Sequence, residues 1–250
     1  MRKTLNIQCV QANATVGDIE GNLAKALHYL SQSNADLLVF PECFISGYPL
    51  QDLALRPGFI GNVKKAIDRL ADAVRDKNGP SVLIGSPMPG SKLAYNAAHL
   101  LKTDGTRQTV FKTELPNDDV FDERRTFARG NNPYPLEFMG WKIGVMICED
   151  MWHGDVARQL SDEGAQILIS LNGSPMEIGK QKIRVGHAIK RVQATNIPLV
   201  YLNLCGGQDE LVFDGSSFVL DSDAKMVIQR GMEEEVFDFE IEMETYIHLL

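Results

Sequence analysis

One cysteine in this sequence directly follows an apolar run and directly precedes two carboxylates. Residues 141–147 are rich in Ile, Val and Met, and Cys148, Glu149 and Asp150 come immediately after them. A short apolar run bounded by a glycine and by charge is typical of a buried strand. Cys148 therefore lies at the carboxyl end of a predicted strand, where the catalytic groups of α/β folds collect. The thiolate of such a cysteine is a nucleophile, and the alternative role is that of a buried structural cysteine.

Two other reactive side chains also follow predicted strands. Residues 36–40 form an apolar run that a proline ends, and Glu42 comes directly after that proline. Lys112 closes a predicted hairpin, residues 97–112, whose central Asp-Gly pair favours a tight turn. Strands of one sheet end at a shared edge, so we expect Glu42, Lys112 and Cys148 to lie close together. For a single Glu or Lys taken alone, a solvent-exposed position is the commoner outcome.

These three side chains supply the parts of a cysteine-dependent reaction. A free cysteine thiol has a pKa near ~8.5 and is mostly protonated at neutral pH. Glu42 can take the thiol proton, and Lys112 can stabilise the thiolate that results. Lys112 and the backbone N–H of Glu149 can also stabilise the oxyanion that forms when the thiolate attacks a carbonyl carbon. The sequence therefore predicts nucleophilic catalysis by Cys148.

Two alternative interpretations of the site involve histidine: a histidine that replaces Glu42 as the base, and a metal site with a histidine ligand. The sequence contains five histidines, and only His153 is near Cys148 along the chain, although catalytic groups pair by geometry rather than by order. The alternative metal site would have as ligands Glu149, Asp150, His153 and Asp155. Those residues are more easily interpreted as a loop and the start of a helix. We therefore favour Glu42 as the base and expect no metal site.

Hydrophobic periodicity predicts the elements that position these residues. Apolar residues at helical spacing mark four helices, at residues 23–30, 60–74, 156–160 and 180–195. Short apolar runs mark strands at residues 5–10, 36–40, 81–85, 97–101, 108–112, 141–147, 166–171, 198–204, 216–220, 226–230 and 235–241. The polar segment 115–129 predicts a long ordered loop, and Gly85, Gly90 and Gly140 are interpreted as turn residues. The mixture of β-α-β units and hairpins predicts one α/β domain with a mixed sheet covered by helices.

Composition and charge narrow the classes of partner. The chain has 250 residues, of which 23% are charged, and its formal net charge is −8. Nucleic acids and anionic membrane surfaces bind basic faces, so we expect neither as a partner. No apolar run approaches the length of a membrane span.

Cysteine usage and the amino-terminal residues predict a cytoplasmic protein. The four cysteines, Cys9, Cys43, Cys148 and Cys205, form no C-x-x-C pair, so we expect no structural zinc site. A chain of this size does not depend on disulfides for stability, which favours a reducing compartment. The first residues turn polar too soon for a signal peptide.

The residues around the three reactive side chains resemble the motifs of the nitrilase superfamily of carbon–nitrogen hydrolases. Glu42 ends a Phe-Pro-Glu triplet, Lys112 follows the hairpin, and Cys148 begins the run Cys-Glu-Asp-Met-Trp. A second set of stretches more narrowly resembles the glutamine amidase domain of glutamine-dependent NAD⁺ synthetases. These stretches are residues 115–127, 172–180 and 206–218. The resemblance covers nearly the whole chain and implies a nitrilase-type α-β-β-α sandwich with mixed sheets, as a single domain over residues 1–250.

The resemblance also implies a role for each residue of the site. Glu42 would be the general base, Lys112 the oxyanion stabiliser and Cys148 the nucleophile. Glu123 resembles a second acidic residue that often lies beside the lysine in this superfamily. The residues implied to contact the substrate are Tyr48, Asp118, Glu123, Glu149, Ser174 and Lys180.

Asp118 departs from the pattern of the family. Similar proteins usually carry a tyrosine after the Leu-Pro-Asn triplet, and here a carboxylate takes that place. A carboxylate changes the polarity of the pocket. The substrate is therefore left open between L-glutamine and another small molecule with an ω-amide, a carbamoyl group or a nitrile.

The function that the resemblance implies is hydrolysis of the glutamine side-chain amide through a cysteine thioester. No metal or organic cofactor is expected for this reaction, since ATP and the NAD precursor would belong to a synthetase domain. These 250 residues contain no Ser-Gly-Gly-x-Asp-Ser phosphate loop of such a domain. We therefore expect an excised amidase domain, an amidase that passes ammonia to a separate synthetase chain, or an amidase that works alone. The family also implies a homo-oligomer, and a non-catalytic assembly subunit is the alternative from a different class.

Overall fold

The computed structural model of the chain describes residues 4–77, 79–117 and 121–243, and the backbone of residues 247–249. The predicted substrate residue Asp118 thus lies outside the described residues. Five α-helices are present in the described part: α1 Ile19–Gln32, α2 Pro57–Lys77, α3 Glu123–Thr126, α4 Gly154–Asp162 and α5 Lys180–Thr195. Two short 3₁₀-helices span Gln51–Leu55 and Cys148–Trp152.

The strands form two large sheets and one small hairpin. In chain order they are β1 Thr4–Gln11, β2 Leu37–Val39, β3 Ser81–Met88, β4 Tyr95–Leu101, β5 Arg107–Phe111, β6 Leu136–Phe138, β7 Trp141–Ile147, β8 Ile167–Asn172, β9 Leu199–Asn203, β10 Cys205–Gln208, β11 Leu211–Asp214, β12 Phe218–Leu220, β13 Met226–Gln229, β14 Glu235–Glu242 and β15 Ile247–Leu249. The described strands of the first sheet are ordered β15-β14-β1-β2-β3-β4-β5, and those of the second β13-β12-β9-β8-β7-β6. Each sheet has three parallel central strands, β1-β2-β3 and β9-β8-β7, with antiparallel strands on both sides.

The two sheets pack face to face, and helices cover their outer faces. Strand alternation sends every second side chain inward: Ile143, Val145 and Ile147 of β7 lie in the core between the sheets. Met146 of the same strand packs outward with residues of α4 and α5. Helices α1 and α2 cover the first sheet in the same way. The layers are therefore α-β-β-α with two mixed sheets, and the expected fold class is confirmed.

Local sequence signals predicted most elements close to their observed bounds. Helix α5 spans Lys180–Thr195 as expected, and β4 and β5 form the expected hairpin. The expectation of a loop over residues 115–129 was incomplete, because α3 lies inside that segment. Strands β6, β10, β11 and β15 were not predicted. They are three or four residues long, which is too short for a clear alternation.

The interpretation of Gly85 as a turn residue was wrong. Gly85 lies inside β3, and the missing side chain leaves room for the segment that carries Glu42. A Cβ atom at this position would lie 2.5 Å from the carbonyl oxygen of Pro41 and 2.6 Å from the Cα of Glu42. The glycine therefore permits close approach of two backbones rather than a change of chain direction.

No helix in the described part of the chain is both long enough and apolar enough to cross a membrane.

Candidate active site

The three reactive residues predicted from the sequence each follow the end of a strand. Glu42 comes three residues after β2, Lys112 directly after β5, and Cys148 directly after β7. Strands β2 and β5 belong to the first sheet, and β7 belongs to the second. The facing sheets thus bring these residues together at one end of the sandwich, where Gly173 N–H, directly after β8, donates to Oε2 of Glu42 at 2.7 Å.

Glu42 is fully buried and accepts hydrogen bonds on both carboxylate oxygens. Its Oε1 atom lies 2.8 Å from Nζ of Lys112 and accepts from Nδ2 of Asn96 at 2.7 Å. Its Oε2 atom accepts from Gly173 N–H, so the carboxylate has three donors. Donors to both oxygens hold the group in one orientation.

Lys112 is also fully buried and lies between two carboxylates. Its Nζ atom is 2.8 Å from Oε1 of Glu42 and 2.9 Å from Oε2 of Glu123. Burial by itself lowers the pKa of Lys112, but the charges of Glu123 and Glu42 outweigh it and raise that pKa well above its ordinary value. Lys112 is therefore a permanently charged ammonium group in the resting site.

Glu123 completes a buried cluster of two carboxylates and one ammonium. Its Oε1 atom accepts from the hydroxyl of Tyr48 at 2.9 Å and from Nδ2 of Asn96 at 3.3 Å. Burial raises the pKa of Glu123, while the charge of Lys112 lowers it and that of Glu42 raises it. The net effect raises the pKa of Glu123, and the cluster has two carboxylates for one cation.

Cys148 lies beside this cluster at a strained position of the backbone. Its φ angle is +47°, a left-handed conformation that costs a non-glycine residue free energy of order 1–3 kcal/mol. The residue is 7% exposed. Burial raises the pKa of the thiol well above its ordinary value, the charge of Glu42 adds to this, and the charge of Lys112 opposes it. The resting thiol is therefore protonated and depends on a base for activation.

Asn96 is a site residue that the sequence reasoning missed. It is the second residue of β4, is fully buried, and donates from one side-chain amide nitrogen to both Glu42 and Glu123. Its backbone carbonyl oxygen also accepts from the backbone N–H of Lys112 at 2.8 Å. The signal that could have revealed it is an amide in a strand whose other residues are mostly apolar, since a buried polar group needs partners.

Of the implied substrate residues, Glu123 belongs to the cluster, Tyr48 contacts it, and Ser174 follows Gly173, whose N–H donates to Glu42. The Tyr48 hydroxyl contacts Glu123, and its ring centroid is 6.0 Å from Nζ of Lys112. Ser174 is buried next to Gly173, and its hydroxyl accepts from Nε of Arg184 at 3.1 Å. Both residues are therefore held in place by their neighbours.

Glu149 and Lys180 lie at the more exposed side of the Cys148–Trp152 helix. Glu149 is adjacent to Cys148, and its Oε1 atom is 3.2 Å from Nε2 of His153. Nζ of Lys180 lies 5.4 Å from the ring centroid of Trp152 and 2.7 Å from the carboxylate of Glu177. Lys180 thus contacts the helix that begins at Cys148, whereas Tyr48 contacts the buried cluster.

The histidine and metal alternatives find no support in the geometry. The His153 side chain is half exposed and paired with Glu149, whereas Glu42 is the buried carboxylate beside the thiol. The carboxylate of Asp150 is buried and accepts three backbone N–H groups. Within the described ranges, no three His, Cys, Asp or Glu side chains are arranged to hold a metal ion.

The sequence also matches a known protein family. The family described as carbon-nitrogen hydrolase matches residues 6–248. The chain belongs to the carbon–nitrogen hydrolase family.

Relatives of this carbon–nitrogen hydrolase chain are longer proteins. It is 40% identical over 246 residues to the glutamine-dependent NAD(+) synthetase of Rhodobacter capsulatus, and the aligned region covers 97% of this chain and 44% of that protein. It is 39% identical over 255 residues to the corresponding synthetase of Thermotoga maritima, covering 99% of this chain and 44% of that protein. The chain therefore spans less than half the length of these relatives.

Solved structures share the fold. The glutamine-dependent NAD+ synthetase of Acinetobacter baumannii, in complex with adenosine diphosphate, superposes with a TM-score of 0.90 at 30% identity, covering 99% of this chain and 48% of that chain. A carbon-nitrogen hydrolase from Helicobacter pylori G27 superposes with a TM-score of 0.86 at 20% identity, covering 96% of this chain and 90% of that one. The second similarity shows the fold alone.

A small cavity opens beside the buried cluster of this hydrolase. Its volume is about 160 Å³, and Tyr48 and Glu123 are among the residues that line it. The ring of Phe121 also lines the cavity and stacks on Tyr48, with ring centroids 5.9 Å apart. Chemically, the site combines a protonated thiol, a carboxylate beside it and a fixed cation. These are the groups that acyl transfer through a thioester needs.

Proposed function

We propose that this chain hydrolyses the side-chain amide of L-glutamine to glutamate and ammonia through a thioester on Cys148. One observation carries the proposal: Lys112, held between buried carboxylates, lies beside a strained, buried Cys148 at the end of the sandwich. The choice of glutamine is supported by the names of the longer relatives, which are glutamine-dependent.

In the proposed reaction, Glu42 takes the thiol proton and the Cys148 thiolate attacks the amide carbon. Lys112 and the backbone N–H of Glu149 stabilise the oxyanion. When the carbon–nitrogen bond breaks, Glu42 returns the proton to the leaving ammonia. Glu42 then deprotonates a water molecule that attacks the thioester, and the proton it gains passes to the departing thiolate. The sum is glutamine plus water to glutamate plus ammonia, and no step needs a metal or an organic cofactor.

We further propose that the ammonia is consumed by a synthetase domain or a separate synthetase chain. That part would bind ATP and the NAD precursor, because the relatives are NAD(+) synthetases and this chain spans 44% of their length. A cytoplasmic location and assembly into a homo-oligomer belong to the same proposal. Sedimentation of the purified chain is the measurement that tests the oligomer.

A second candidate function is hydrolysis of another ω-amide or a carbamoyl compound. The observation that favours it is Asp118, which places a carboxylate where similar amidases carry a tyrosine. A non-catalytic assembly subunit is disfavoured, because Glu42, Lys112 and Cys148 are all retained and buried together.

Ammonia release from L-glutamine by the purified chain tests the proposal, with Cys148→Ala as the inactive variant. Cys9→Ala is the matched control, because Cys9 packs in the core between the sheets. We expect turnover in the unmodified chain and in Cys9→Ala, and none in Cys148→Ala. An active Cys148→Ala variant would contradict the mechanism. Turnover of asparagine, carbamoyl or short ω-amide compounds without turnover of glutamine would support the second candidate.

A further inference from the structure

One buried carboxylate outside the reactive cluster joins the backbone on both sides of the site. Asp150 is 2% exposed and lies two residues after Cys148. Its Oδ1 atom accepts from the backbone N–H groups of Thr113 at 2.9 Å and Glu114 at 2.7 Å. Its Oδ2 atom accepts from the backbone N–H of Ile147 at 3.0 Å. Asp150 therefore contacts the two residues after Lys112 and the residue before Cys148.

These contacts connect the two sheets at the point where the reactive residues leave them. Lys112 follows β5, an edge strand of the first sheet, and Cys148 follows β7 of the second sheet. Thr113 and Glu114 lie outside any strand, so no sheet ladder supplies acceptors for their N–H groups. The Asp150 carboxylate supplies both, and Arg129 fixes the same segment by donating to the carbonyl of Thr113 at 2.8 Å.

The same carboxylate supports the strained turn at Cys148. A left-handed φ at a non-glycine residue persists only where the surrounding contacts determine it. The bond from Ile147 N–H to Asp150 closes that turn from the strand side, and the backbone carbonyl of Asp150 accepts from His153 N–H on the other side. Asp150 thus stabilises the backbone turn that orients the Cys148 thiol.

We propose that Asp150 is a positioning residue that fixes the Cys148 thiol relative to the Lys112 ammonium by bonding the backbone beside each of them. The inference rests on the proposed function, and it concerns the placement of two reactive groups rather than contact with substrate. A displacement of about 1 Å between reacting groups can cost a rate about 10²-fold. An Asn at position 150 accepts on only one atom. Its amide nitrogen is a donor and would face either Ile147 N–H or the N–H groups of Thr113 and Glu114. One side of the connection would therefore lose its hydrogen bonds.

The test compares Asp150→Asn with a matched control, Asp221→Asn. The Asp221 carboxylate also accepts from two backbone N–H groups, those of Asp223 and Lys225. It follows β12, whose last residue pairs with the first residue of β9, so it lies at the opposite end of the sheet from the site. Two readouts are taken: kcat and KM for ammonia release, and the pH dependence of Cys148 alkylation by iodoacetamide, followed by peptide mass.

We expect Asp150→Asn to lower kcat about 10²-fold with KM within about threefold, since positioning rather than binding is lost. Alkylation at pH 7 should slow about tenfold, which corresponds to an upward shift of about one unit in the pKa of the thiol. Asp221→Asn should match the unmodified chain in both readouts. A folded Asp150→Asn protein with native kcat and a native alkylation profile would overturn the proposal.

Amide hydrogen exchange in the unmodified chain tests the same idea without a variant that can misfold. The N–H groups of Thr113 and Glu114 lie outside the sheets, so strong protection of both has to come from Asp150. Exchange at the rate of an open loop would overturn the proposal. Alkylation and exchange do not depend on the substrate. If the unmodified chain does not hydrolyse glutamine, but Asp150→Asn slows the alkylation of Cys148 and the N–H groups of Thr113 and Glu114 are protected, the proposed function is contradicted and the role of Asp150 stands.

Discussion

Two buried ion clusters lie in the described part of the chain, and they are built differently. In the first, the single ammonium of Lys112 faces the carboxylates of Glu42 and Glu123. In the second, Arg184 of α5 pairs with both oxygens of Asp214 at 2.7 and 2.9 Å. Both cations are fully buried.

The two clusters differ in the ratio of carboxylates to cations and in the number of hydrogen bonds that the cation donates. Arg184 and Asp214 cancel in charge, and the guanidinium also donates to the carbonyls of Ser174 and Pro175 and to the Ser174 hydroxyl. Each of the three guanidinium nitrogens therefore donates to an acceptor. The Lys112 cluster has two carboxylates for one cation and lies beside a protonated thiol. Buried ionic groups alone therefore do not indicate a reactive site, whereas an uncompensated carboxylate beside a nucleophile does.

The largest expected effect is that of Glu42→Gln, which removes the proposed base. General acid–base groups contribute about 10² to 10⁴ in rate, and here the resting thiol depends on the base. We therefore expect a loss of kcat of about 10³-fold or more. Steady-state ammonia release measures it, and circular dichroism checks the fold. A variant that keeps more than a tenth of the native kcat would remove Glu42 from the role of base.

The Lys112→Met variant tests the cation of the reactive cluster. It leaves two buried carboxylates without their shared partner, and breaking a buried pair costs about 3–5 kcal/mol in the free energy of unfolding. Loss of an oxyanion donor costs about 10² to 10³ in kcat. We expect both effects together, from urea unfolding and from kcat measured on folded protein. A stable variant with native kcat would contradict the assignment.

Arg184→Met is the matched change in the balanced cluster. It leaves Asp214 buried without its partner, and we expect a similar loss of about 3–5 kcal/mol in the free energy of unfolding. The folded fraction should keep kcat within about tenfold, with the larger change in KM, because Arg184 holds Ser174 rather than a reactive group. A loss of kcat as large as that of Lys112→Met would erase the distinction between the two clusters.

The pH dependence of stability gives a further, smaller test. Burial raises the pKa of Asp150 to about 7, although three backbone N–H groups and Lys112 oppose the shift. Because the folded-state pKa is above that of the unfolded chain, the folded state binds more protons between about pH 4 and pH 7. The Asp150 contribution to the free energy of unfolding therefore decreases as pH rises through that window, by at most about 1.4 kcal/mol per unit.

Urea unfolding of the unmodified chain and of Asp150→Asn, at several values between pH 5 and pH 7.5, measures this contribution. Asparagine does not titrate, so the difference in unfolding free energy between the two proteins should change across the window. A constant difference would mean that Asp150 is already ionised at pH 5.

The smallest expected effect is that of Gly85→Ala. The added Cβ would meet the backbone around Glu42 at 2.5–2.6 Å, and such overpacking costs about 1–3 kcal/mol. The control is Gly61→Ala in α2, where nothing lies within 4 Å and alanine should gain about 0.5–1 kcal/mol. Thermal unfolding compares the two. A neutral Gly85→Ala would show that the segment carrying Glu42 can move away from β3.

How much was predictable depends on the range of the interactions. Helix α5 and the β4–β5 hairpin follow from apolar spacing and an Asp-Gly turn, which are local features. The α3 turn and the β10–β11 hairpin were missed, because short elements depend on contacts outside their own residues. Asn96 was missed for the same reason, since its partners Glu42 and Glu123 lie 54 and 27 residues away.

The sequence by itself determined the kinds of reactive group and their places at strand ends, because apolar runs stop where the chain leaves the sheet. It also indicated the four-layer fold through the resemblance of its motifs. Only the tertiary structure decided that Lys112 is shared by two carboxylates, that Cys148 is strained, and that Asp150 accepts from β7 and from the segment after β5. Those features arise from the packing of separate strands, whose register and distance no local pattern specifies.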